Sequence, residues 1–300
     1  MPERQRAGGG EKGGEPGGVV TDFPGFRADL ARSVRLLRAF RTEQADPSRY
    51  YTVLAQDTIS QLSQYSYLNG QVVADVGGGP GFFVRELRAA GARAFCVDTD
   101  LGELAAQGRP EPGSTVGSAL HLPLGTGLVD VCFSSNVLEH VADWPAMLAE
   151  MVRVTRPGGI VFAAFTNWLS PWGGHETSPW HYLGGEWAAK HYTRQHGKPP
   201  KNRYGESLYP VSVADVLHWV KSAENAVLVD AVPRYLPDWS RPILRIPGLR
   251  ELVTWNLLVV LQRVVTGTPT ATGRPAQAPG RSHPSLPAAH RAAAGPARSR

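Results

Sequence analysis

The run Val72-Val73-Ala74-Asp75-Val76-Gly77-Gly78-Gly79-Pro80-Gly81-Phe82-Phe83 concentrates the chemistry of this chain. Gly77, Gly79 and Gly81 are spaced to allow positive φ and to let a ligand reach bare backbone. A helix opening near Phe82 would aim its first amide N–H groups at that ligand, as nucleotide-type sites do. The spacing narrows the class. A dinucleotide fingerprint counted from Gly77 needs a glycine at position 82, which is Phe, and no Gly-Lys-Ser/Thr follows to make a triphosphate loop. Asp75, ahead of the turn, suits a ligand with a cationic amino-acid portion and would repel a pyrophosphate. Asp98 closes the next apolar stretch. An acid about 20 residues past such a turn accepts hydrogen bonds from ribose hydroxyls. Asp100 lies beyond that strand and is expected to cap a helix at Leu101.

Two further blocks follow in order. Gly117-Ser118-Ala119-Leu120-His121-Leu122-Pro123-Leu124 precedes an apolar strand over 128–133, which leaves through Ser134-Ser135-Asn136-Val137-Leu138-Glu139-His140-Val141. An amphipathic helix over 147–155 then meets Arg156-Pro157-Gly158-Gly159 and a fifth strand over 160–165. With the Asp-x-Gly-x-Gly-x-Gly turn, residues from about 70 to 166 resemble the class I S-adenosylmethionine (SAM) methyltransferases, type 11 branch. The likeness is closer to an uncharacterised actinobacterial group, through Gly173-Gly174-His175-Glu176, His181-Tyr182-Leu183-Gly184-Gly185 and Gly205-Glu206-Ser207-Leu208-Tyr209, and spans about Arg32 to Gln262. The resemblance implies an α/β fold: a Rossmann-like seven-stranded sheet, mostly parallel with an antiparallel last strand, helices on both faces, and strand order 3-2-1-4-5 at its centre. It implies SAM as cofactor, bound by Asp75, Gly77, Gly79 and Gly81, with Asp98 on the ribose. Ser118 stands where the family usually has the Asp that bonds the adenine amino group, a neutral hydroxyl being a weaker partner. The backbone at Ala119 would lie along the adenine, and Ser135 and Asn136 would line the methyl-donor pocket.

The elements that must position these residues are legible from period and caps. Apolar residues at 30, 34, 37 and 40 mark one helix, and Asp46-Pro47 starts another that carries Tyr50 and Tyr51. These N-terminal helices (27–67) precede the first strand, and the resemblance makes Tyr51, with Tyr50, a cover for bound SAM. After the fifth strand comes an insertion, 166–211, holding Trp168, Trp172, Trp180 and Trp187 and four histidines. A loop leaving a strand's carboxyl end sits over the ligand site of an open α/β sheet. With little regular structure expected, this segment reads as a lid that recognises the acceptor. A capped helix over 212–223, a strand over 225–232, a helical excursion over 242–255 and a closing strand over 256–265 complete the domain, 21–266.

Methyl transfer from SAM is a matter of position, and a general base is needed only for a poor nucleophile such as a hydroxyl. His175, with Glu176 holding its tautomer, is the expected base; His140 is the second candidate. The pair His175 and His181 matches none of the usual zinc spacings, so no metal is expected. The aromatic insertion points to a small-molecule or lipid-like acceptor, with a hydroxyl as target. The alternative is a SAM-binding, non-catalytic partner or regulatory protein, for which Ser118 is the one hint.

Composition bounds the rest. Residues 1–20 and the basic, Pro- and Ala-rich tail 267–300 cannot bury enough apolar surface to order themselves and are expected to be disordered. The five arginines of the tail equal the whole net charge of +5, so the domain itself is near neutral and no nucleic-acid face is expected. Cys96 and Cys132 fall on strands two spacings apart, roughly 10 Å, too far for a disulfide; buried thiols fit a cytoplasmic location. No apolar run reaches the length of a membrane span, and Arg241, Arg245 and Arg250 with Ile243 and Leu244 leave a weak peripheral membrane contact as a minority reading. The oligomeric state is not legible.

Overall fold

The computed structural model describes residues 26–43 and 45–265 of the 300. The stretches expected to be disordered, 1–20 and 267–300, lie outside the described residues.

Two helices come first. α1 (Leu30–Phe40) is capped by Asp29, whose carboxylate accepts the Arg32 amide at 2.8 Å. α2 (Pro47–Leu62) is capped by Asp46 in the same way, with Pro in the first turn where its missing N–H costs nothing. A buried ion pair joins them. Arg32 meets both carboxylate oxygens of Asp57, the closer at 2.7 Å, and its other Nη donates to the Arg234 carbonyl oxygen.

The sheet follows from strands that are apolar on both faces. β1 (Val72–Val76), β2 (Arg93–Asp98), β3 (Thr115–Val116), β4 (Val129–Ser135) and β5 (Thr155–Thr166) pair in parallel. β6 (Ala226–Pro233) and β7 (Asn256–Arg263) form an antiparallel hairpin, and β7 lies antiparallel against β5. The order is β3-β2-β1-β4-β5-β7-β6. This is the mixed seven-stranded sheet anticipated from the motifs, with two-residue β3 too short to have shown in the sequence.

Side chains alternate across the sheet, so each strand feeds two cores. Ala74, Cys132, Val161 and Val259 face α5 (Trp144–Val154) and α7 (Val213–Ser222). Val73, Phe133, Phe162 and Leu258 face α2 and α3 (Phe82–Ala89). Cys96 and Cys132 sit on the two strands flanking β1 and are free and buried. Asp100 caps α4 (Leu101–Leu104), accepting the Gly102 amide at 2.6 Å.

Two expectations change. The insertion over 166–211 is not poor in regular structure: 3₁₀ turns at His175–Thr177 and Trp180–Leu183 lead into α6 (Gly185–His196). The excursion before β7 is a 3₁₀ segment, Asp238–Arg245, followed by the short α8 (Leu249–Val253). Within it Leu244 is buried and Ile243 packs on the core, while Arg241 bonds Asp230 and Asp238 and Arg250 bonds Glu251. The residues that a membrane contact was read from are therefore mostly engaged inward. Of them Arg245 faces out, and the exposed apolar residues of this stretch are others: Trp239, Ile246, Leu249 and Leu252. Among the described residues, no helix is long and apolar enough to cross a membrane.

Candidate active site

The glycine turn after β1 is fixed from below and from both sides. Gly77, Gly79 and Gly81 all hold positive φ (+74°, +48° and +81°), conformations that glycine adopts without strain. A Cβ at Gly77 would lie 2.5 Å from Val137, so this turn packs bare backbone against the exit of β4. A Cβ at Gly78 would fall against Asp75 Oδ2, inside contact distance. Gly79 differs: no atom lies within 4 Å of where its Cβ would be. Gly81, left-handed, is the N-cap of α3 and offers no side-chain cap, so the first amides of the helix keep their donors.

Asp98, at the end of β2, is tied to that turn. Its Oδ2 accepts the Gly79 amide at 3.0 Å and its Oδ1 the Asp100 amide at 3.0 Å. Each oxygen keeps a lone pair for a further donor. Asp75 is placed differently. It is 1 % exposed, beneath Gly78, and Oδ2 has no partner. Burial, with the nearby Asp98 charge, pushes its carboxyl up to about 8.

Around this turn, Tyr51 stacks on Phe82 with centroids 5.5 Å apart and donates its hydroxyl to Glu43. Ring contacts continue from Tyr51 to Tyr50 (5.0 Å), Phe40 (5.9 Å), Trp172 (5.1 Å) and Trp255 (6.3 Å). An aromatic line thus runs from the glycine turn to the insertion. Ser118 spends its hydroxyl locally, accepting the Leu120 amide at 3.1 Å, and Ala119 packs on the core beside it.

The β4 exit carries the remaining residues. Ser135 is buried and its Oγ accepts from Arg234 at 2.9 Å. Asn136 holds a left-handed φ of +58°, and its Oδ1 accepts from Asn256 at 2.7 Å. Three residues on, a 3₁₀ turn (Leu138–His140) presents Glu139 and His140. The insertion clasps this turn: the Tyr209 amide donates to the Glu139 carbonyl at 2.8 Å, and His140 Nδ1 lies 2.6 Å from the Ser207 carbonyl oxygen. His175 arrives beside it, its ring centroid 5.1 Å from that of His140 and its backbone left-handed at φ +49°. Burial lowers the His175 pKa, favouring the neutral imidazole.

Glu176 does not hold the His175 tautomer. Both its oxygens accept from Asn202, at 3.0 and 3.2 Å, and His175 Nδ1 faces the Gly173 carbonyl oxygen at 3.4 Å. The sequence neighbour points away because a 3₁₀ turn directs adjacent side chains apart. The carboxylate that groups with the two histidines is Glu139.

Residues 74–163 match the family model described as a methyltransferase domain. An uncharacterised methyltransferase of Mycobacteroides abscessus is 46% identical over 256 residues, covering 81% of this chain and 98% of that protein. One from Mycobacterium sp. strain KMS is 48% identical over 251 residues, covering 81% and 99%. The chain belongs to the class I SAM-dependent methyltransferases. A lower likeness is to a SAM-dependent methyltransferase from Mesorhizobium loti, 19% identical with a TM-score of 0.47, over 70% of this chain and 98% of that one.

The residues of this methyltransferase fit its methyl donor, SAM. The open space at Gly79, the uncapped amides at α3 and the spare lone pairs of Asp98 could hold a nucleoside against the backbone. Ser118, with its hydroxyl engaged in its own turn, offers less. Three residues around this candidate site carried no signal strong enough to single them out. Gly78 lay in the quoted motif, but its reason, Asp75 beneath it, needs the fold. Glu139 stood beside His140, and only the insertion brings His175 to it. Arg234, 1 % exposed, donates to Ser135 and to Thr58 (2.6 Å) and makes no ion pair among the described residues. A single arginine after a strand has no sequence signature.

Proposed function

We propose that this protein moves the SAM methyl group by in-line displacement onto the hydroxyl of an apolar small-molecule or lipid-like acceptor held under the 166–211 insertion. The observation that carries this reading is the course of the β4 exit. Ser135 and Asn136, beside the glycine turn through Val137, run within five residues into Glu139 and His140, and His175 of the insertion joins them. Donor side and His140 are one continuous piece of chain, and the insertion brings His175 beside it.

When bound, SAM supplies a methyl carbon already activated by its sulfonium. The chain's own residues supply position. Gly77, Gly79 and Gly81 give the donor bare backbone, Asp98 accepts from its ribose, Ser118 and Ala119 border its base, and Tyr51 covers it. Asp75 acts from beneath the turn, where a cationic ligand above would favour its ionised form. Ser135 and Asn136 border the methyl group. The acceptor hydroxyl meets His140 and His175, where it loses its proton. The aromatic line from Phe82 to Trp255 supports an acceptor that is itself apolar. The unit is residues 21–266, working in the cytoplasm without nucleic acid. Exposed Trp239, Ile246, Leu249 and Leu252 give it a weak contact with anionic membrane surface.

SAM carrying a labelled methyl group, incubated with the protein and a total extract separated afterwards into organic and aqueous phases, tests the reading. Label is expected in an organic-phase product. Label confined to water-soluble products contradicts the acceptor class. SAM binding without transfer to any fraction would favour the non-catalytic partner.

A further inference from the structure

Glu139, His140 and His175 each offer a ligand atom, and these atoms all lie within 4.8 Å of one another. Four observations separate this group from a chance cluster of polar residues. Glu139 is 1 % exposed, and its two oxygens are in unlike states: Oε1 accepts the Thr166 amide at 2.9 Å, whereas Oε2 is buried with no partner. A buried carboxylate oxygen left unpaired is costly unless something positive meets it. No Lys or Arg forms an ion pair with Glu139 among the described residues. Next, His140 Nδ1 faces the Ser207 carbonyl oxygen at 2.6 Å. A carbonyl only accepts, so Nδ1 carries the hydrogen and Nε2 is the nitrogen left for another partner. An imidazole oriented by a carbonyl on one nitrogen and free on the other is the usual outer shell of a metal-bound histidine. Third, His175 approaches from a separate element and holds an unfavourable left-handed backbone to do so. Finally, the group stands at the carboxyl ends of β4 and β5, where an open α/β sheet binds ligands.

We propose that Glu139, His140 and His175 form a binding site for one divalent transition-metal ion, with zinc as its best match, which takes the acceptor's oxygen at an open coordination position. Two imidazoles and one carboxylate form a set that zinc uses in catalytic sites, keeping a further position free. One ion with bonds of about 2.0–2.2 Å can reach all three ligand atoms when they gather around it from the 3₁₀ turn and the insertion. The inference rests on the proposed methyl transfer to a hydroxyl and replaces a histidine base by a metal: with their lone pairs on the ion, His140 and His175 hold it and do not take the proton. The ion lowers its pKa, its proton passes to water, and the oxygen pair forms the bond to the methyl carbon. The carbon–sulfur pair stays with sulfur, so charge balances with one proton released.

Untagged full-length chain, stripped with a chelator, is titrated with Zn²⁺ against a chromophoric chelator and separately with Co²⁺ while the visible spectrum is recorded. One equivalent of Zn²⁺ is expected, with a Co²⁺ band typical of nitrogen and oxygen ligands. Glu139→Gln and His175→Ala should each weaken Zn²⁺ by at least about tenfold. His175→Ala, in a half-buried turn, keeps the test open if Glu139→Gln unfolds. No zinc binding, or binding equal in wild type and both variants, overturns the site. S-adenosylhomocysteine titrated into stripped wild type separates the two ideas: binding there with no zinc binding leaves the methyltransferase reading standing and removes only the metal.

Discussion

Asp98 accepts the amide of Gly79 at 3.0 Å, so the acid that ends β2 and the turn that follows β1 hold one another in place. Acid and turn thus form one hydrogen-bonded unit, and a ligand that used both would find them already positioned relative to one another. This pairing also makes the site sensitive to changes that never touch a ligand.

Gly78→Ala is such a change. A Cβ there would fall against Asp75 Oδ2 and lie 2.9 Å from Cys96 Sγ, both buried and unable to yield. The turn must lift. Affinity for S-adenosylhomocysteine is expected to drop by about tenfold or more, roughly 1.4 kcal/mol, with a lower melting temperature. Wild-type affinity in this variant would show that the turn is not the binding element.

Asp75 gives the fold a pH dependence of definite sign. Its carboxyl is pushed up to about 8 in the folded chain, against about 4 when unfolded. Between these values the folded state keeps a proton that the unfolded state has lost. Stability is therefore full below about pH 4 and falls as pH rises toward 8, by at most about 1.4 kcal/mol per pH unit. Asp75→Asn is expected to flatten urea-unfolding free energies across this window. An unchanged slope would place the dependence elsewhere.

Tyr51 separates ring from hydroxyl. Its ring stacks on Phe82 while its hydroxyl bonds Glu43. Tyr51→Phe should bind S-adenosylhomocysteine nearly as wild type, whereas Tyr51→Ala should lose about two- to tenfold, the value of an aromatic contact of about 0.5–1.5 kcal/mol. Equal loss in both variants would assign the effect to the hydroxyl.

Trp239 is 76 % exposed, with Ile246, Leu249 and Leu252 also outward. Sedimentation with phosphatidylserine-containing vesicles should carry down part of the protein, and Trp239→Ala should reduce that fraction several-fold. Equal sedimentation of variant and wild type would remove this surface as the contact.

Legibility in the sequence followed the range of the forces involved. The caps at Asp46, Asp100 and Ser212 act within three residues and were readable with their helices. The apolar run of β1 announces a strand covered on both faces, and the family motifs place Asp98 beside the glycine turn. What escaped depends on distant chain. α6 carries Trp, His and Tyr in place of a simple apolar stripe, so its period is masked. Glu176 looked like the partner of His175 because it is adjacent, yet Asn202 takes it. Glu139 meets His175 only once α5 and β5 have returned the chain to the same end of the sheet. Arg234 reaches Ser135 across 99 residues of sequence.

Calorimetric titration of SAM and S-adenosylhomocysteine into wild type and Asp98→Ala tests the account most directly. Micromolar binding to wild type is expected, weakened by about tenfold or more in the variant, roughly 1.4 kcal/mol. Absence of binding to wild type, or equal affinity in the two proteins, would contradict a donor site built on Asp98 and the glycine turn.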